Sequence, residues 1–152
     1  MRGLLGRLLQ GGDQPRPPGK DLAAAALLVE AARADGRFGP EERKVIEHLL
    51  RDRLGVDAGH AATLLAEAEQ AAQAASDWQG FTRVLIDAHD EPARVELIEM
   101  LWEVVEADGQ VDMLEAALMR RLPALLYVPD RVSFQARQRA RLRLGLPESP
   151  AF

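Results

Sequence analysis

Cysteine is absent from the 152 residues. Its absence excludes disulfide scaffolds, thiolate metal sites and cysteine nucleophiles, and suits a reducing compartment. Aromatic residues make up only 5% of the chain, so a core is expected from helices that approach closely through alanine and leucine, not one built around large rings. No apolar run approaches the roughly 20 residues a membrane-crossing helix needs. Met1 to Gln10 also lacks the long apolar centre and small-residue cleavage site of a secretory signal. The expected location is the cytoplasm, extending to the inner membrane surface if the first ten residues touch it. His48, His60 and His89 are scattered, with no second histidine at metal-ligand spacing. There is no phosphate-cradling glycine loop and no nucleophile elbow. With no general base or nucleophile in view, the chain is not expected to be an enzyme.

What the sequence does have is alanine-rich helical pattern and uneven charge. The net charge of -5 divides into +3 for residues 1–20, +4 for residues 131–152 and -12 for the body between. An acidic body repels nucleic-acid phosphates and attracts cations or basic partners. Nucleic-acid binding is therefore not expected.

Residues 1–20 read as a short basic amphipathic arm, with Leu4, Leu5, Leu8 and Leu9 on one stripe beside Arg2 and Arg7, followed by a Pro/Gly linker. The arm is either docked on the domain or a peripheral membrane or partner contact through residues 1–10. Residues 21–145 read as one all-α domain, a compact bundle of about seven helices near 21–35, 40–54, 57–75, 78–88, 91–107, 113–127 and 131–144, and residues 146–152 as a tail. Pro40 suits a first helical position, Gly55 a C-terminal cap, and Asp57 and Asp130 suit N-caps. Pro123 should kink its helix. Trp78, Phe81, Trp102 and Phe134 are expected core anchors.

A gapless overlay of residues 27–57 on residues 100–130 pairs Ala34-Asp35-Gly36 with Ala107-Asp108-Gly109, Glu30 with Glu103, Glu42 with Glu115 and Asp57 with Asp130. The agreement predicts a duplicated helix-turn-helix unit, packed about a pseudo-twofold axis. Gly36 and Gly109 would end one helix in the left-handed region. Asp112 and Glu115 would form the capping box that starts the next, and Gly39 with Glu42 a weaker version of it. The aspartates are harder to explain as caps, because Asp35 and Asp108 stand at helix C-termini, where the dipole disfavours negative charge. Helical spacing aims both inward, so each is expected to pair with backbone N–H groups, with an arginine such as Arg37, or with a cation.

The spacing Asp-Gly-x-apolar-x-x-x-Glu also matches the second half of an EF-hand loop. The first loop position is Ala31 in one copy and Val104 in the other, so a true EF-hand is rejected. A shorter turn remains, in which Asp35, Glu42, Asp108, Asp112 and Glu115 are the candidate ligands of a weakly bound divalent cation such as Ca²⁺. The second copy is favoured, because Arg33 and Arg37 neutralise the first. Glu96, Glu99, Glu103 and Glu106 line one face of a helix and, with Glu30, form a candidate acidic surface. Two readings stay open for that face, solvated surface and docking site for a basic partner. The arginines at 137, 139, 141 and 143 are expected to clamp within the molecule.

These residues resemble the TerB-like tellurite-resistance family. The resemblance is carried by helix-Ala-Asp-Gly-helix twice, Leu101-Trp102-Glu103 before the second copy, Phe81-Thr82-Arg83 between the copies and Ala136-Arg137-Gln138-Arg139 near the end. It implies an all-helical fold with internal symmetry, an acidic surface that binds divalent cations, and a bacterial stress-response role. The family's acidic positions carry over onto Glu30, Asp35, Glu42, Glu103, Asp108 and Glu115, while Gly39 departs from the acidic residue that Asp112 supplies. The function expected is a non-enzymatic, cation-binding interaction module for a basic or membrane-associated protein. The alternative is a helical scaffold whose turns are purely structural and whose arm touches the membrane surface.

Overall fold

The computed structural model describes residues 18–150; the expected amphipathic arm at residues 1–10 lies outside them. Among the described residues seven helices follow in order: α1 Lys20–Ala32, α2 Pro40–Asp52, α3 Ala58–Ala74, α4 Gln79–Ala88, α5 Glu91–Val105, α6 Met113–Leu125 and α7 Asp130–Arg143. No strand occurs among the described residues. Each helix lies within about three residues of its predicted bounds, because caps and glycines mark most of the ends.

The start signals act as their chemistry requires. Asp57 accepts from Gly59 N at 3.2 Å and caps α3, and Asp90 accepts from Ala93 N at 3.0 Å and caps α5. Pro40 takes the first position of α2, where a missing N–H costs nothing. Asp130 is a correction: it is the first residue of α7 and Pro129 is the cap. Gly55 is left-handed, with φ 70°. Pro123 sits inside α6, which ends two residues later.

Two helices form the centre. In α1 the run Ala23 to Val29 is wholly buried, with Ala31 and Ala32, so the helix is apolar on every side and must be covered all round. It packs against α2, α3, α4 and α5. In α5 every residue from Leu97 to Val105 is buried, and that helix also packs against α2, α6 and, most extensively, α7. Alanine at the contacts lets α1 and α3 approach closely. Trp102 is completely buried; its Nε1 donates to Ser133 Oγ at 3.1 Å, and the Arg137 guanidinium lies 4.7 Å from its ring. Phe81 is buried too, whereas Trp78 and Phe134 are half-buried. Trp78 Nε1 donates to Glu30 at 3.0 Å, and Arg121 lies 4.9 Å from its ring.

The contact between α5 and α7 is ionic as well as apolar. Glu106, with no exposed surface, accepts from Arg137 and Arg141, both at 2.5 Å. Glu99 accepts from Arg139 at 2.7 Å and Arg143 at 2.8 Å. Arg53, at the end of α2, donates to Glu103 and reaches Glu99 at 3.2 Å and Glu96 at 3.5 Å. Among the described residues no buried side-chain nitrogen or oxygen lacks a partner. Beyond α7 the chain folds back: Ser149 N donates to Gln138 Oε1 at 2.9 Å, and Gln138 Nε2 returns a bond to Ser149 O at 2.8 Å.

Candidate functional site

The site is built from two turns of like geometry. Gly36 and Gly109 are left-handed, with φ 82° and 84°, as the glycines after helix ends should be. Asp35 Oδ1 accepts from Arg37 N at 2.8 Å, and Asp108 Oδ1 accepts from Gln110 N at 3.0 Å. Each aspartate therefore bonds the backbone two residues on, a local turn that offsets the unfavourable helix dipole. That bond accounts for the aspartates without burial. Asp108 is in fact exposed and Asp35 only half-buried, which corrects the inward orientation expected from helical spacing. The physical reason is that α5 ends at Val105 with Glu106 as its cap. Asp108 already follows the turn and has left the helical register.

At the start of α6 the capping box is complete. Asp112 Oδ1 accepts from Glu115 N at 2.8 Å, and Glu115 Oε1 accepts from Asp112 N at 3.0 Å. The first turn keeps half of this arrangement: Glu42 Oε1 accepts from Gly39 N at 2.8 Å, but Gly39 has no side chain to return a bond.

Carboxylate oxygens of Asp35, Asp112 and Glu115 lie within 4.8 Å of one another. They share a cavity of 160 Å³ with Arg37, Asp108, Gln110 and Val111. Asp35 comes from the first turn and the other two from the second, so this cluster spans both. Glu42 and Asp108 are not in it; they line an adjoining cavity of 250 Å³ with Glu41, Val45, Val104 and Ala107. In each of the three clustered residues one oxygen is bonded to backbone as above. The second oxygen takes no hydrogen bond from a described residue. The donor set, three hard carboxylates, is of the kind that Ca²⁺ or Mg²⁺ takes.

Glu115 records the crowding electrostatically. Burial first, then the neighbouring charges of Asp112, Asp35 and Asp108, push its carboxyl up to about 7, against the lowering effect of the Asp112 backbone bond. A cation at this point would oppose those causes.

The glutamate row does not form the open face its spacing suggested. Glu99, Glu103 and Glu106 are buried among arginines, Glu30 is half-buried against Trp78 and Arg33, and Glu96 is exposed. The expected arginine clamp is what covers them, with Arg137 and Arg141 on Glu106 and Arg139 and Arg143 on Glu99. Burial pushes Glu99 up, but Arg139, Arg143 and Arg53 together hold it below the usual carboxylate range. For Glu103 burial outweighs Arg53 and Arg143, and its carboxyl is raised. Nothing in the sequence singles out Arg53. Its charge partners are more than forty residues away, and no periodic signal links them.

Compared with known families, residues 21–138 match the one described as Tellurite resistance protein TerB. No curated protein and no solved structure matches the chain.

Proposed function

This chain belongs to the TerB family of tellurite resistance proteins, and from that premise we propose that it is a non-enzymatic module whose Asp35, Asp112 and Glu115 bind a divalent cation such as Ca²⁺. The observation that carries the reading is the approach of three carboxylate oxygens, drawn from two turns, to within 4.8 Å. Each residue keeps one oxygen on the backbone, so the site is pre-organised by the bonds that cap the helices. The ion ties the turn after α1 to the start of α6, and the acidic body that surrounds it favours a basic protein partner.

A second reading is favoured by the same backbone bonds: the turns are purely structural, and the chain is a protein-binding scaffold. Calcium titration followed by calorimetry separates the two. Binding in the micromolar to millimolar range that disappears in Asp112→Asn supports the ion site, because asparagine caps a helix as well as aspartate does but withdraws a ligand charge. Absence of binding across that range would falsify it.

A further inference from the structure

Three cavities share lining residues, and α2 lines two of them. The acidic one shares Asp108 with its 250 Å³ neighbour, and that neighbour shares Val45 and Ala107 with a third of 580 Å³, which reaches Leu49 and Leu144. Together they make a furrow between α2 and the C-terminal ends of α5 and α7. Its α2 wall runs from Glu41 to Asp52, which at 1.5 Å per residue is about 16 Å, or three helical turns.

Apolar side chains form the floor, with Val104 buried, Val45 half-buried and Leu144 36% exposed, while Lys44, Arg53 and Arg143, with Asp52 and Glu103, wall the largest cavity. One end is strongly acidic, with Glu41 and Glu42 on α2 facing Asp108, and Asp35, Asp112 and Glu115 beyond. Next to Asp112, the first two residues of α6 are large, apolar and open: Met113 is 86% exposed and Leu114 63%. At those positions they bury little against their own domain, and methionine adapts readily to varied apolar partners.

A trough of three turns with an apolar floor, lysine and arginine along one part and a cluster of carboxylates at the other end has a definite complement. That complement is an amphipathic helix with apolar residues at i, i+3/i+4 and i+7 and with lysine or arginine at the end lying over Asp108 and Asp112. An anionic membrane surface has the wrong charge for the acidic end. We infer that the furrow between α2 and α5 docks a basic amphipathic helix of a protein partner. Docking uses the floor and the acidic rim together and goes beyond the cation reading, on which it does not depend.

The test uses a synthetic leucine/lysine peptide of about four helical turns, its leucines at helical spacing and its lysines gathered at one end, titrated against the full chain by fluorescence anisotropy. Saturable one-to-one binding is expected. Removing the apolar floor without changing charge, by combining Val45→Ala with Leu144→Ala, should weaken it at least tenfold, and Asp108→Asn should weaken it several-fold. Glu67→Gln, on the exposed face of α3, should leave it unchanged. Because Leu144 lies on the surface, Leu144→Ala alone serves if the double variant loses its helical circular dichroism. Calcium titration of the same floor variants should be unaltered, which separates failure of the furrow from failure of the ion site. The proposal is overturned if the floor variants bind the peptide as the parent does, since attraction is then merely electrostatic. It is equally overturned if the chain ignores the peptide, including when it binds phosphatidylserine vesicles instead.

Discussion

Asp112 and Glu115 bond each other's backbone reciprocally, at 2.8 Å and 3.0 Å, while Asp35 approaches both from a turn far earlier in the chain. One pair of residues thus starts a helix and also joins Asp35 in a cluster of three carboxylates.

The two roles separate by substitution. Asp112→Ala should cost about 1 kcal/mol of stability through loss of the cap and remove calcium binding. Asp112→Asn should change stability by only a few tenths of a kcal/mol and still remove it. Thermal unfolding with and without calcium measures both, and equal stability loss in the two variants would count against separable capping and ion-binding roles.

Glu115 makes stability depend on pH. Its folded carboxyl is raised to about 7 from an ordinary value of 4.5, so between those values the folded chain holds the proton more tightly than the unfolded one. Stability from this group is full below about pH 4.5 and falls as pH rises through about 7. After allowance for solvent screening the fall is about 1–2 kcal/mol. The parent should therefore lose stability relative to Glu115→Gln over that window in urea unfolding. Calcium should flatten the loss, and calcium affinity should weaken below pH 7. A parallel pH dependence in both proteins would contradict the assignment.

The buried glutamate network is a separate test of the fold. Glu106→Ala leaves two largely buried arginines without its carboxylate, at an expected cost of about 3–5 kcal/mol. Replacing the group together, Glu106→Leu with Arg137→Met and Arg141→Met, should recover much of that loss, since matched apolar packing removes the charges on both sides. Denaturant midpoints report the difference.

Gly36→Ala and Gly109→Ala should each cost about 1 kcal/mol, because both residues are left-handed and an L side chain is strained there. At Gly36 an added Cβ meets nothing within 4 Å, and at Gly109 it meets Leu146 Cδ2 at 3.7 Å, an ordinary contact. The penalties should therefore be similar. Asparagine at either position should recover part of the loss, as seen in thermal midpoints.

Helices were legible because Pro40, Gly55, Asp57 and the turn glycines are local signals, decided by backbone chemistry within a few residues. The capping box of Asp112 and Glu115 was legible for the same reason. Two features were not. Extending the stripe of α5 past its end aims Asp108 inward, yet the helix stops at Val105 and the register is lost within the turn. The spacing of Glu99, Glu103 and Glu106 reads as a surface because their covering arginines come from the end of α2 and from α7, and one-dimensional spacing says nothing about which helix lies across them. The union of Asp35 with Asp112 and Glu115 was hidden likewise, since it joins two turns that pattern alone describes one at a time.

The covering of α1 on all sides bears on how the chain comes together during synthesis. Its apolar surface is shared among α2, α3, α4 and α5, so the first four helices emerge from a ribosome with one flank of their core still wet. That flank closes only when α5 arrives, and α5 in turn carries glutamates that need α7. Stalled or shortened chains ending before α5 should therefore be protease-sensitive and sticky, and protection should appear late and all at once.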